Sequence, residues 1–308
     1  MKKSLIITIA LTLIAFTSLG MWGDVLRAGP ALKKFPLYML PLIALFGFCN
    51  DLIKFFRWHV YLRKTGIAIG VKKSLAVFIA GLSMSATPGK VGFIVKSQML
   101  KSITGRTLLS TSPVIVAELY MDLIALSFIS LVGVGLLGSR LWIALVVCAL
   151  PLLALISGVI DRILILLAKI PLLSDKTHEL KSALDDMFAL FGPGVLAAAF
   201  FISLLAWTSE GVALHLILKY LGFDMGVLQA TVIFGFATLI GALSLLPGGL
   251  VVTDASLMGL IMQAGAAQPL AALAAIMGRV FTLWLAVLIG SVFLVVNRRY
   301  LYSPTVEA

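Results

Sequence analysis

Long apolar stretches alternate with short polar segments along almost the whole chain. A transmembrane helix needs about 20 consecutive, mostly apolar residues to cross the hydrocarbon layer of a bilayer. Six stretches reach this length, and they predict full spans at about 4–22, 36–56, 108–137, 141–160, 194–221 and 268–296. The pattern therefore predicts an all-α, polytopic membrane protein.

Two further apolar segments are interrupted by Pro-Gly sequences, and neither half of either segment is long enough to span. The segments and their interruptions are 74–100, with Pro88 and Gly89, and 230–264, with Pro247, Gly248 and Gly249. Proline removes a backbone donor and glycine permits tight geometry, so both segments are predicted to be re-entrant helical hairpins. Irregular backbone at that depth persists only where protein or a wet cavity surrounds it.

The distribution of Lys and Arg predicts the orientation of the chain. With the amino terminus in the cytoplasm, 18 of the 24 basic residues fall in inner segments and five in outer segments, and Arg279 lies within a span. This asymmetry favours a cytoplasmic membrane protein with both termini in the cytoplasm. The two hairpins then enter from opposite sides, as in the inverted-topology repeats that mark transporter substrate sites. The alternative is that two Pro-Gly turns arose separately as loops.

The chain is predicted to form a single transmembrane domain, 1–308, built from two halves. The first half, 1–160, contains the first hairpin, and the second half, 193–299, contains the second. The connector, 161–192, includes a stretch at 174–191 with apolar residues on one helical face and charges on the other. We expect an amphipathic helix on the inner membrane surface there. A regulatory or partner-binding helix is the alternative.

Composition excludes several functional classes. The chain is 61% hydrophobic and 12% charged, whereas soluble domains carry about 25% charged residues. The net charge of +11 belongs to segments between apolar spans, which favours topology and anionic lipid headgroups over nucleic acid as the explanation. The three histidines are scattered and no nucleotide fingerprint is present, so the sequence predicts neither a metal nor a cofactor.

Ionisable side chains within the predicted spans and hairpins are the candidates for function, because each needs a partner or a wet cavity. The cationic members are Lys90, Lys96 and Arg279, and the anionic members are Glu118, Asp122, Glu210 and Asp254. If the tips meet near the midplane, these groups and the tip residues would line one polar cavity for a charged lipid headgroup, since Arg pairs well with phosphate. Two simpler explanations are structural ion pairs, such as Arg279 with Glu210, and a Lys96 side chain that reaches the cytoplasmic surface.

Together these motifs resemble the membrane region of the lysylphosphatidylglycerol synthase/flippase family, over nearly the whole chain. The resemblance is carried by Thr87-Pro88-Gly89-Lys90-Val91-Gly92 with Lys96, by Glu118 and Asp122, by Leu246-Pro247-Gly248-Gly249 with Asp254, and by Arg279 with Thr282 and Trp284. It implies a polytopic membrane fold and the movement of a lipid between leaflets. Related single-domain members are associated with hopanoids, isoprenoid-linked sugars and glycolipids.

The chain departs from the family pattern at three places. Members commonly have Glu where this chain has Phe93 and Arg where it has Leu119, and they often have Gly-x-x-Glu where it has Val251 and Asp254. No soluble aminoacyl-transfer domain follows Asn297. We therefore expect no synthesis of lysyl-lipid by this chain.

The sequence favours a lipid translocase that moves a phospholipid, glycolipid or isoprenoid-type lipid by alternating access, and not an enzyme. Without a nucleotide site, movement would be downhill or ion-coupled, and Glu118, Asp122 or Glu210 could carry a proton. One rival is a non-catalytic subunit supporting a lipid-modifying enzyme or glycosyltransferase. The other is a membrane-embedded lipid transferase using Glu118 or Asp122. The lipid and the oligomeric state do not follow from the sequence.

Overall fold

The computed structural model describes residues 16–87, 92–137 and 177–302, and every regular element in these ranges is helical. The ten longer helices are α1 (Leu40–Lys64), α2 (Val71–Leu82), α3 (Gly92–Thr104), α4 (Leu108–Leu137), α5 (Thr177–Leu190), α6 (Pro193–Tyr220), α7 (Val227–Leu243), α8 (Val252–Gln263), α9 (Gln268–Arg279) and α10 (Leu285–Val296). Short helical segments lie at Val25–Ala28, Gly29–Lys34, Leu37–Met39, Pro247–Gly249 and Arg298–Leu301.

Four helical stretches in the described residues are long and apolar enough to cross a membrane: Leu37–Lys64, Leu108–Gly133, Pro193–Tyr220 and Gln268–Val296. The last consists of α9 and α10, joined by the π-helical turn Val280–Trp284. They correspond to four of the six predicted spans. The predicted span 141–160 and most of 4–22 lie outside the described residues, as do residues 88–91 of the first tip.

Helix α1 extends further than the hydropathy pattern predicted. The sequence placed the end of the span at 56 and assigned Lys54 and Arg57 to a basic inner segment, but the helix continues to Lys64. Both side chains are buried, with Arg57 only 1% exposed. Hydropathy ended the span too early because it counts charges as solvent-facing, whereas these charges face other helices.

The two halves of the chain repeat the same order of elements. A long helix ends at a glycine of positive φ, Gly66 (φ 66°) or Gly222 (φ 90°), and the next helix begins just after a second glycine four residues on, Gly70 or Gly226. The amide after each first glycine bonds back to a carbonyl five residues earlier, as in a Schellman cap. In both halves a short helix, a Pro-Gly interruption, a second short helix and a long helix follow. Similar tip sequences thus belong to similar helical units.

Glycines allow the spanning helices to approach each other closely. A side chain at Gly47 of α1 would collide with the carbonyl of Phe281 in the π-helical turn. A side chain at Gly290 of α10 would likewise meet backbone atoms of Ile79, Leu82 and Ser83 at the end of α2. These contacts bring α1 and α2 against the α9–α10 span, as small residues do in membrane helix packing.

The buried apolar residues form two clusters, one around each pair of short helices. The first cluster joins α2 and α3 to the carboxy-terminal part of α1 and the middle of α4, and the second joins α6, α7, α8 and α9. Helix α5 confirms the helix expected at 174–191 and packs on α4, burying Met187 and Leu190. Partial burial raises the pKa of Asp186 on this helix, while the charge of Arg106 opposes the rise.

We expect the close approach at Gly290 to be essential for stability. Alanine at Gly290 would place a methyl group on the backbone of α2, so Gly290→Ala should lower the thermal denaturation midpoint of the purified protein. Gly259→Ala is the matched control, because a Cβ at Gly259 of α8 meets nothing within 4 Å. There the alanine should be neutral or stabilising by up to about 1 kcal/mol, the helix-propensity difference measured in water. Equal midpoints for the two variants would contradict the packing argument.

Candidate functional site

A cavity of about 320 Å³ lies between the two apolar clusters. It is lined by two pairs of short helices, α2 with α3 and α7 with α8, by the long helices α1, α4 and α6, and by the α9–α10 span. Its charged lining residues are Asp51, Lys54, Arg57, Lys96, Glu118, Asp122, Glu210 and Arg279. Its apolar lining includes Leu82, Leu119, Leu123, Leu126, Leu245 and Leu246. The cavity is therefore amphiphilic.

Most of the residues predicted from the sequence meet at this cavity. Those that line it are Lys96, Glu118, Asp122, Glu210, Gly248, Gly249 and Arg279. Asp254 is buried and bonded to Arg279, and Pro247 belongs to the tip without lining the cavity. Pro88, Gly89 and Lys90 lie outside the described residues. Leu119 also faces the cavity.

The polar face of α1 was missed as part of the site. Asn50, Asp51, Lys54 and Arg57 all line the cavity. Their spacing of three, four and seven positions puts them on one side of a helix. This periodicity was available in the sequence, but Lys54 and Arg57 were assigned to a basic inner segment, and Asn50 and Asp51 were not considered as site residues.

Asp122 is paired with two cations from that stripe. Arg57 Nη2 lies 2.9 Å and Lys54 Nζ 3.4 Å from its carboxylate oxygens. Arg57 also donates to the hydroxyl of Ser203 on α6, and Lys54 Nζ sits 3.6 Å from the ring centre of Trp207. The cluster therefore joins α1, α4 and α6 through two ion pairs, a hydrogen bond from Arg57 to Ser203 and a cation–π contact.

Lys96 is held inside the protein and does not reach the cytoplasmic surface, so the surface-snorkelling alternative is wrong. Its ammonium lies 3.2 Å from the carboxylate of Glu118 and 4.2 Å and 4.5 Å from the ring centres of Phe78 and Trp58. Gly81 leaves room for its alkyl chain, because a Cβ there would be 2.5 Å from Lys96 Cγ. The pair joins α3 to α4 at the cavity wall.

Arg279 fixes the second tip. Its Nε donates to Asp254 Oδ1 at 3.0 Å, and its Nη2 donates to the carbonyl of Gly248. The other oxygen of Asp254 accepts from the backbone amide of Val251 at 3.0 Å, which caps the start of α8. The ion-pair alternative named Glu210 as an example of a partner for Arg279, but the ion pair forms with Asp254. Sequence separation gave no basis for choosing between the two acids.

The second tip has a strained backbone and lies against the end of the segment that contains α2. Gly248 and Gly249 have positive φ angles of 56° and 66°. Two neighbouring residues that are not glycine, Leu245 at 57° and Val251 at 68°, also have positive φ. A β-branched residue in this region is an outlier, and such strain persists only when surrounding contacts enforce it. A Cβ at Gly248 would lie 3.2 Å from Ala86 Cα, so the second tip touches the segment that follows α2.

Several polar groups at the cavity have no protein partner within the described residues. Asn50 Nδ2, Trp207 Nε1 and Thr238 Oγ1 are without a hydrogen bond, and each of these residues lines the cavity. Glu210, which is 9% exposed, forms no ion pair or hydrogen bond within the described chain, nor does the partly buried Asp51. Buried polar groups normally find partners, so this lining suits a polar ligand.

Comparison with known proteins identifies a matching family. A family model described as the lysylphosphatidylglycerol synthase TM region matches residues 4–290. A UPF0104 membrane protein of Pyrococcus horikoshii is 23% identical over an alignment that covers 99% of this chain and 100% of the relative. Two matches are to UPF0104 membrane proteins of Methanothermobacter thermautotrophicus. One has 33% identity over 98 residues, which cover 32% of this chain and 29% of the relative. The other has 25% identity over 287 residues, which cover 84% of this chain and 85% of the relative.

The strain at Val251 generates a stability prediction. Glycine adopts φ of 68° without steric cost, so Val251→Gly should raise the free energy of unfolding by about 1 kcal/mol. The neighbouring Val252 lies in α8, and Val252→Gly should lower it by about 1 kcal/mol, because glycine is a poor helix former. Thermal denaturation of both variants in the same detergent measures the difference, and destabilisation by both would contradict the strain argument.

Proposed function

Because the chain belongs to the lysylphosphatidylglycerol synthase TM region family, and is thus an integral membrane protein, we propose that it is a lipid translocase. The proposed substrate is a phospholipid, glycolipid or isoprenoid-type lipid, which moves between the leaflets of the cytoplasmic membrane. The observation that carries the proposal is the amphiphilic cavity, in which paired charges and unpartnered polar groups are enclosed by membrane-spanning helices. Charges at this depth are costly, and they commonly mark the path of a polar substrate.

The size of the cavity supports a lipid whose headgroup alone enters the protein. A volume of about 320 Å³ is at the lower end of ordinary ligand pockets. It suits a headgroup and leaves no room for long acyl chains, which would stay in the bilayer. The apolar side chains at the second tip support this arrangement, since Leu245 is 76%, Leu246 45% and Val251 55% exposed. They offer the acyl chains an apolar surface beside the cavity.

The contacts of Arg279 suggest how access to the cavity changes. Arg279 binds the second tip through Gly248 and Asp254 while it also lines the cavity. An anionic headgroup would compete for its donors, which would release the strained tip. We propose alternating access in which one tip loosens while the other stays closed, with re-entrant hairpins as the moving parts.

The repeated order of elements supports an inverted arrangement of the two halves. In this proposal there are six full spans, both termini are cytoplasmic, α2 and α3 enter from the cytoplasmic side, and α7 and α8 enter from the outside. The connector that contains α5 then lies on the cytoplasmic side. Substrate sites of transporters with inverted repeats lie where the interrupted helices meet, which agrees with the position of the cavity.

The geometry gives less support to a membrane-embedded transferase. Glu118 and Asp122, the candidate bases, are both paired with cations, so neither is a free acceptor of a proton. Translocation requires no covalent step, and we propose that the protein is not an enzyme. A supporting role for a lipid-modifying enzyme or glycosyltransferase would be recognised by stable co-purification of that partner.

Lipid movement should depend on Arg279. In proteoliposomes containing fluorescent lipids of several headgroups, native protein should speed the exchange between leaflets, measured by chemical quenching of the outer leaflet. Arg279→Ala should slow it about tenfold or more, because charge-assisted hydrogen bonds contribute about 1.5–3 kcal/mol each. Arg27→Ala is the control, since Arg27 forms an exposed pair with Asp24 and neither residue lines the cavity. Exchange at the protein-free rate for all headgroups would contradict the proposal.

Opposite orientation of the two halves can be tested at matched positions. Ala68 and Asp224 are both exposed and each follows its glycine of positive φ by two residues. In a variant with Cys49 and Cys148 replaced by Ser, Asp224→Cys should react with a membrane-impermeant maleimide in intact cells. Ala68→Cys should react only after the membrane is opened. Labelling of both from the same side would contradict the inverted arrangement.

A further inference from the structure

The charged groups at the cavity do not balance in the described part of the chain. The cations are Lys54, Arg57, Lys96 and Arg279. The carboxylates are Asp51, Glu118, Asp122, Glu210 and, bonded to Arg279, Asp254. One negative charge is therefore in excess.

The ion pairs show where this excess lies. Lys96 is paired with Glu118, Arg279 with Asp254, and both Lys54 and Arg57 with Asp122. Asp51 on α1 and Glu210 on α6 remain without an ion pair among the described residues. Helices α1 and α6 pack side by side, and the two carboxylates face the same cavity.

The surroundings of Glu210 contain no uncommitted cation among the described residues. Helix α1 presents Asp51, Lys54 and Arg57, α3 presents Lys96, α4 presents Glu118 and Asp122, and α9 presents Arg279. The part of α7 that lines the cavity carries no charge and presents the hydroxyl of Thr238. Lys54, on the helix that packs against α6, is already in contact with Asp122 and Trp207.

An unbalanced charge enclosed by apolar helices is unfavourable, and the simplest compensation is one bound positive charge. A proton needs no coordination shell, and a carboxyl group without an ion-pair partner can take it directly. We propose that the cavity holds one exchangeable proton, carried by Glu210 and Asp51, and that this proton drives the translocation. The second part rests on the proposed function.

The double pairing of Asp122 supplies the link between the proton and the helices. Arg57 is the closer partner of Asp122, at 2.9 Å against 3.4 Å for Lys54, and it alone can balance this carboxylate. When Glu210 releases the proton, Lys54 moves from Asp122 towards Glu210. The change shifts a contact from between α1 and α4 to between α1 and α6. The sequence offered Glu118, Asp122 and Glu210 as proton carriers. Glu118 and Asp122 are held in ion pairs, so Glu210 is the one of the three that can carry the proton.

Infrared spectroscopy tests the proton without any transport assay. Purified native protein at neutral pH should show the C=O stretching band of a protonated carboxylic acid, with a shift in D₂O. Glu210→Gln and Asp51→Asn each remove the excess charge, so loss of the band in either variant supports the proposal. Asp224→Asn, which changes an exposed carboxylate between α6 and α7, should keep the band. Retention in both cavity variants, or no band in native protein, overturns the proposal.

A further variant checks the balance of charge. Lys90 belongs to the tip segment outside the described residues. A band that is missing in native protein and present in Lys90→Gln would show that Lys90, and not a proton, balances the cavity. That result also overturns the proposal. Gel filtration and thermal denaturation establish that each variant is folded.

Proteoliposomes with imposed pH gradients test the coupling. A gradient of about one pH unit corresponds to a factor of about ten in proton activity. The steady-state ratio of lipid between the two leaflets should therefore shift by up to about tenfold for native protein, in opposite directions in the two gradients, and lipid exchange should be faster in one gradient than in the other; both differences should disappear in Glu210→Gln. Equal native rates in both gradients overturn proton coupling and leave translocation intact. No native exchange contradicts the proposed function instead, and the infrared result then decides whether the proton is bound.

Discussion

The fold depends on the neutralisation of charges that are enclosed among apolar helices. Arg57 with Asp122, Lys96 with Glu118, and Arg279 with Asp254 each connect a different pair of helices around one cavity. Removing one member would leave its partner charged and buried, which is far costlier than losing an exposed pair. These pairs therefore hold the helices in register and at the same time build the polar surface of the cavity.

The second constraint is that interrupted helices need their backbone groups satisfied inside the protein. At the second tip this is done by side chains, since Asp254 accepts the amide of Val251 and Arg279 donates to the carbonyl of Gly248. The same arginine thus stabilises an irregular backbone and contributes to the cavity lining. A tip whose carbonyl group is held by a side chain that a ligand can also reach is well suited to move when the ligand binds.

The repeat extends from glycines to charged positions. Lys54 lies twelve residues before Gly66, and Glu210 lies twelve before Gly222. Leu119 and Arg279 are likewise at the same distance from the starts of α4 and α9. The first pair of equivalent positions thus carries a basic residue, Lys54, and an acidic one, Glu210. The second pair carries an apolar residue, Leu119, and a basic one, Arg279. The scaffold is repeated while its charges have diverged, so the cavity is asymmetric.

The sequence by itself determined the membrane class, the four spanning helices in the described residues, the positions of both Pro-Gly interruptions and most of the buried charges. It could do so because hydropathy and helix breaking depend on a few neighbouring residues. Only the tertiary structure decided that Arg279 pairs with Asp254 and not Glu210, that Lys96 turns inward, and that Asn50, Asp51, Lys54 and Arg57 belong to the cavity. Those outcomes depend on which helix faces rest against each other. A charge on an apolar helix shows that it needs a partner, but the packing of distant segments selects the partner.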